Sequence, residues 1–139
     1  MIGNYNTLWL QYLKDIDVKS YDYPWLDIDW DDIKKWIIKV WMFEDQPRGF
    51  IAYRFVDPEK ILIAKLAVHP SFRRHHGGEE LLQEMEVVSK FSGVKYVTAL
   101  LHEDNDFKDW AVKQGFKAIH IEYCAFPHGD GYFFQKVLE

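Results

Sequence analysis

Cysteine is almost missing from this chain: Cys124 is the only one among 139 residues. An internal disulfide is therefore excluded, and a reducing compartment is expected. The opening residues, Met1-Ile2-Gly3-Asn4-Tyr5-Asn6, lack the basic and apolar stretches of a secretory leader. Long hydrophobic runs are also missing. The most apolar one, Ile61 to Val68, is broken by Lys65 and falls far short of the roughly 20 residues that span a bilayer. These absences predict a cytoplasmic protein with no membrane association. Basic charge is in deficit, with 17 Lys and Arg against 22 Asp and Glu and a net charge of −5. Such a balance disfavours a nucleic-acid partner, which needs a basic face to neutralise phosphates. It suits a cationic partner such as an amine. Repeats, low-complexity tracts and Ser/Gly linkers are missing too, so residues 1–139 read as one domain around one core.

What is present is apolar and aromatic, 48% and 17% of the chain respectively, as a packed globule requires. Leu8, Leu10, Tyr12 and Leu13 recur at helical spacing, and a second helical run is read from Asp31 to Val40 through Ile33, Trp36, Ile37 and Val40. Asp29 or Asp31 could cap it. Strands are expected over Val40–Glu44 and Gly49–Val56 around a turn at Asp45–Arg48, then over Ile61–Val68 after a turn at Asp57–Lys60. The unbroken apolarity of Ile61–Val68 marks a strand covered on both faces. A helix follows Gly77-Gly78, with Leu81, Leu82, Met85, Val88 and Phe91 read as its buried face and Gly93 as its stop. Val94–Leu101 reads as a strand, Phe107–Gln114 as a helix closed by Gly115, and Ala118–Phe126 and Tyr132–Leu138 as final strands. This succession describes an α/β domain around a mixed sheet.

The informative segment is Val68-His69-Pro70-Ser71-Phe72-Arg73-Arg74-His75-His76-Gly77-Gly78-Glu79-Glu80-Leu81-Leu82. A buried strand enters a basic, glycine-containing turn, and the turn opens a helix. The first amides of a helix lack internal partners and its dipole favours an anion there, so the segment can cradle a pyrophosphate. Arg73 or Arg74 could add charge-assisted bonds. The plainer reading is a glycine turn before a helix with no ligand.

This segment resembles the coenzyme-A signature of the GNAT acetyltransferase superfamily, Arg/Gln-x-x-Gly-x-Gly/Ala, with Arg73 opening it and Gly78 closing it. His76 stands where the family has its first glycine. The Val68-His69-Pro70 lead-in and Leu81-Leu82 are in register, and Asp104-Asn105 through Trp110 to Gly115-Phe116 resembles the family's Asn…Gly-Phe helix. The resemblance implies a mixed, splayed central sheet of about six to seven strands flanked by helices. It implies acetyl-CoA as cosubstrate and a primary amine, on a small molecule or a protein N-terminus, as acceptor. Leu66, Ala67 and Val68 would pair with the pantetheine arm, and the Val68 amide would polarise the thioester carbonyl. The amides of Arg74, His75, His76, Gly77 and Gly78 would hold the pyrophosphate, and Asp104 or Asn105 would touch the pantetheine side.

The family's tyrosine acid is replaced by Ala111, and the glutamate some relatives carry by Leu62 and Ile63. The remaining candidates near the cleft are His69, His102, Glu103, Tyr123 and Tyr132. His102 or Glu103 is expected as base and Tyr123 as acid, against the reading that each is an ordinary surface or strand residue. The loss of both groups favours an amine of low pKa, since an α-amine titrates near 7.7–8.0 and a lysine near 10.4. The other reading is a non-catalytic module that binds coenzyme A or a protein partner, for which His76, Glu79 and Glu80 argue.

No metal site is expected from His69, His75 and His76, which lack a ligand spacing. Cys124 is expected to pack against the sheet. Trp9, Trp25, Trp30, Trp36 and Trp41 are read as core, with Trp25 or Trp30 possible in an acceptor pocket. Asp27, Asp29, Asp31 and Asp32 are read either as caps on a solvated face or as an attractor for a cationic acceptor. A homodimer is possible.

Overall fold

The computed structural model describes residues 1–20, 30, 35–102, 107–126 and 129–138. The chain opens with a short strand β1 (Ile2–Asn4), a 3-10 turn over Thr7–Trp9 and helix α1 (Leu10–Ser20). Then come β2 (Ile37–Phe43), β3 (Gln46–Asp57), β4 (Lys60–Val68), a 3-10 turn over Pro70–His75, and helix α2 (Gly77–Phe91). Strand β5 (Tyr96–His102), helix α3 (Phe107–Lys113) and strands β6 (Lys117–Phe126) and β7 (Gly129–Val137) complete it. The strands form one sheet in the order β1-β2-β3-β4-β5-β7-β6. Among the described strands only β4 and β5 pair in parallel, and α2 supplies the crossover that such a pair requires.

Helices cover both faces. Leu13 and Ile16 of α1 pack on Ile38, Val40, Phe50, Ala52, Ala64 and Ala67. Opposite them, Leu81, Leu82 and Met85 of α2 and Ala111 of α3 pack on Trp41, Ile51, Ile61, Ile63, Leu66 and Val68. Strand β4 is buried from both sides, as its apolarity foretold. A polar anchor sits on the α1 side: Asp17 accepts hydrogen bonds from the ammonium of Lys65 in β4 and, at 3.1 Å, from Nε1 of Trp30.

Several expectations need correction. Ile37 and Val40 belong to β2, not to a helix. Their spacing with Ile33 and Trp36 imitates a helical face, but β2 is paired on both sides, and those ladders override the pattern. Residues 31–34 lie outside the described residues. The β2–β3 turn is tighter than Asp45–Arg48: Glu44 and Asp45 alone make it, with φ of 54° and 64°, the doubly left-handed geometry of a two-residue hairpin. Val88 and Phe91 are not core residues, being 51% and 90% exposed, because the buried stripe of α2 runs through Leu81, Leu82, Met85 and Ser89. Cys124 is exposed rather than packed. Gly93 and Gly115, at φ of 87° and 99°, end α2 and α3 as expected.

Candidate active site

Strands β4 and β5 separate in mid-course. Four register pairs join them, from Lys60↔Tyr96 to Ile63↔Ala99. Pairing of β4 with β3 continues to Val68, after an irregularity that passes from Tyr53↔Ile63 to Ala52↔Lys65 and leaves Ala64 as an extra residue. Beyond Ala99, Leu100, Leu101 and His102 of β5 pair with β7. A bulge therefore stands where a wedge opens, with Leu66, Ala67 and Val68 along its β4 side.

The chain then turns sharply. His69 caps the 3-10 turn, its Nδ1 accepting from the Ser71 amide at 3.2 Å, and Pro70 begins the turn without needing a donor. His76 joins that turn to α2 in the left-handed conformation, φ 60° and ψ 24°. The first helical bond runs from the Glu80 amide to the His76 carbonyl at 3.1 Å. The amides of residues 77–79 precede it and form the donor end of the helix.

A cavity of about 220 Å³ lies between these parts, lined by Leu66, Val68, Arg73, His76, Gly78, Glu79, Phe107 and Trp110. It brings together five expected cofactor residues: Leu66, Val68, Arg73, His76 and Gly78. Arg73 also braces the corner, its Nε donating to the Val68 carbonyl at 3.3 Å. The two glycines have different duties. A Cβ on Gly77 would meet the Trp41 indole at 2.5 Å, so this position is glycine for packing. A Cβ on Gly78 would meet Trp110 no closer than 3.6 Å, and its bare backbone faces the cavity. Ala67 turns to the α1 side. Arg74 is exposed, and His75 stacks on Phe43 at 4.4 Å outside the cavity wall.

The two glutamates also differ. Glu80 accepts from Nε1 of buried Trp41. Glu79 is part of the cavity wall, and its Oε2 lies 3.0 Å from Nδ1 of His76. Histidine is strained at this φ, where glycine is not. His76→Gly is therefore expected to stabilise the fold by about 0.5–1 kcal/mol, after the greater freedom of glycine in the unfolded chain is allowed for. Urea unfolding with an unchanged slope would measure it; a loss of stability would mean that the His76–Glu79 contact outweighs the strain.

Of the acid and base candidates, His102 ends β5 opposite Gly131, next to the wedge. Glu103, Asp104 and Asn105 lie outside the described residues, as do Trp25 and the acidic positions Asp27, Asp29, Asp31 and Asp32. Tyr123 is 77% exposed on β6, beside a bulge where the left-handed Cys124 donates its amide to Asp130 at 2.8 Å. Tyr132 lies closer to the wedge, in β7 opposite Leu101, with the Lys108 ammonium 5.5 Å above its ring. Ala111 is buried. Trp30 packs edge-to-face on Phe50 at 5.6 Å, and Trp9 and Trp36 pack against the same cluster. Phe107 is a cavity residue that sequence reasoning missed; its only signal was its place one turn before Trp110. Among the described residues no group of His, Cys, Asp and Glu is arranged to hold a metal, and no helix is long and apolar enough to cross a membrane.

Known proteins share this architecture. Ard1 from Thermoplasma volcanium superposes with a TM-score of 0.91 at 17% identity, over 100% of this chain and 97% of that one. A ribosomal-protein-alanine N-acetyltransferase from Brucella melitensis does so at 0.77 and 19%, over 99% of each chain. A GNAT family acetyltransferase from Elizabethkingia anophelis, with acetyl-CoA bound, gives 0.79 and 14%, over 99% of this chain and 97% of that one. No curated protein matches the sequence. The model of the acetyltransferase (GNAT) family matches residues 5–116, most of the chain. With the splayed sheet and the glycine turn beside it, that match establishes that this chain belongs to the GNAT acetyltransferase family.

Proposed function

We propose that this protein transfers the acetyl group of acetyl-CoA directly to a primary amine, on a small molecule or a protein N-terminus. The carrying observation is a single cavity that joins Leu66 and Val68, on the β4 side of the wedge, to Gly78 at the donor end of α2. The residues fit such a cosubstrate. Leu66, Val68, Phe107 and Trp110 offer apolar walls to a pantetheine arm, and Gly78 lets phosphate oxygens approach the backbone. Glu79 opposes a pyrophosphate by charge, and its carboxylate is held beside the His76 ring, Oε2 3.0 Å from Nδ1. Acetyl-CoA supplies an activated thioester carbonyl. The Val68 amide polarises that oxygen, His102 or Glu103 takes the amine proton, directly or through water, and Tyr123 returns a proton to the departing sulfur. Asp104 or Asn105 contacts the pantetheine side.

Calorimetric titration with acetyl-CoA, followed by thiol release across an amine panel, tests this reading. Saturable one-to-one binding and amine-dependent thiol release are expected. Binding without turnover would favour a non-catalytic module instead, and no binding at millimolar ligand would overturn the cofactor site. Tyr123→Phe should lower kcat by about 10²-fold or more while leaving acetyl-CoA affinity alone. Its exposure means that the variant will fold, so normal turnover would remove Tyr123 from the mechanism.

A further inference from the structure

The β6–β7 hairpin carries an irregularity level with the open end of the wedge. Register pairs join the two strands from Lys117↔Gln135 to Glu122↔Gly131, lapse, and resume only at Phe126↔Gly129. Tyr123, Cys124 and Ala125 thus stand opposite the single residue Asp130, a bulge wider than one extra residue makes. Gly131 also pairs with His102 at the end of β5, so Glu122, Gly131 and His102 form one row across three strands. With neighbouring strands about 4.8 Å apart, Tyr123 leaves this row roughly 10 Å from the end of β5.

Up to the row, β6 is well held. Its ladder is joined by the stacking of His120 on Phe133, at 4.9 Å and 9° between planes, and by the 2.7 Å contact of His120 with Glu122. Past it, Cys124 takes the left-handed conformation, φ 55°, which is unfavourable for a residue with a Cβ. Asp130 holds it there, its carboxylate accepting from the Cys124 amide at 2.8 Å. An ionised acceptor makes such a bond charge-assisted and stronger than a neutral one. The bonded N–H lies in the same rigid plane as the carbonyl of Tyr123, because the atoms of a peptide unit are coplanar. Fixing that plane fixes how the chain leaves Tyr123, and so where its side chain departs from the strand. Bulges re-aim side chains in this way beside active sites.

We propose that Asp130 is a positioning residue for the acid: through the Cys124 amide it sets the peptide plane after Tyr123 and aims the phenol at the wedge. The inference rests on the acid role given to Tyr123 above, and it adds a residue that acts without touching the cosubstrate.

Steady-state thiol release from acetyl-CoA, with the fastest amine of the panel above as acceptor, tests it. The proteins compared are wild type, Asp130→Ala, Tyr123→Phe and the double variant. Asp130 is only half-buried on an outer hairpin, so its variants should fold. Asp130→Ala should lower kcat about tenfold or more and leave acetyl-CoA affinity unchanged. In the Tyr123→Phe background the same change should cost less than about twofold, since no phenol is left to aim. Asp130→Asn keeps an oxygen acceptor and should hold kcat within about threefold of wild type. A merely structural role would lower kcat by the same factor in both backgrounds, and that result overturns the proposal. The two readings fail separately. Slow Tyr123→Phe beside unimpaired Asp130→Ala ends the positioning role alone. Wild-type turnover in Tyr123→Phe, or a panel in which no amine releases thiol, removes the acid and the positioning role with it.

Discussion

Gly77→Ala should lower stability by about 2–3 kcal/mol and the thermal midpoint by on the order of 10 °C, although alanine is the better helix former. The added methyl would lie 2.5 Å from two carbons of the Trp41 indole, and Trp41 is 1% exposed and has nowhere to move. Relief must come from the helix, whose first turn would be levered off β2. That turn supplies the donors of the candidate cradle, so acetyl-CoA affinity should fall with stability. Gly78→Ala separates the two effects. Its methyl makes only ordinary contact with Trp110, so stability should hold or rise slightly, while the cavity narrows and affinity drops. Unfolding midpoints and ligand titrations of both variants check this. A Gly77→Ala protein as stable as the parent would show that α2 does not rest on Trp41 as described.

Asp17→Ala should cost about 3 kcal/mol. The Lys65 ammonium and the Trp30 indole both donate to this carboxylate, and the Lys65 and Asp17 side chains are only 10% and 17% exposed. Truncation leaves a nearly buried cation without its acceptor, a heavier penalty than the pair's own net contribution. The pair itself is replaceable: Asp17→Leu combined with Lys65→Met should recover most of the loss, since two apolar groups of similar size need no partners. Urea unfolding of the single and double variants gives the coupling between them. Additive losses would show that Asp17 and Lys65 do not act as a pair.

The legible parts of this fold were those whose cause is local. Ile61–Val68 announced a strand buried on both faces, and Gly93 and Gly115 announced helix ends, because a continuous apolar run and a left-handed stop need only neighbours in sequence. Ile37 and Val40 misled because their spacing with Ile33 and Trp36 fits a helix, whereas two long-range ladders decide the matter. Strand β1 was invisible for the same reason: Ile2-Gly3-Asn4 has no pattern, and it is a strand because β2 is there to receive it. On α2, five apolar residues looked like one face; Leu81, Leu82 and Met85 are buried as read, but the stripe continues through Ser89 rather than Val88 and Phe91.

The site divides along the same line. Arg73 to Gly78 could be read as a cradle from residue types and spacing, and five of the expected cofactor residues do line one cavity. The division of labour between Gly77 and Gly78 could not be read, because it depends on Trp41, far back in the chain. Nor could the different fates of Glu79 and Glu80, adjacent carboxylates with partners in different places.

The extra residue in β4 also acts as a parity switch. Before it, Ile61 and Ile63 face α2; after it, Leu66 and Val68 do, so odd positions give way to even ones. Ala64 and Lys65 both fall to the α1 side, where the lysine meets Asp17. The same sequence in a strand without the bulge would send Lys65 towards the cofactor cavity and Leu66 into the opposite layer. At this point in the chain a one-residue deletion is a trim rather than an inversion: it removes the bulge, and every side chain downstream, up to the glycine turn, keeps its side.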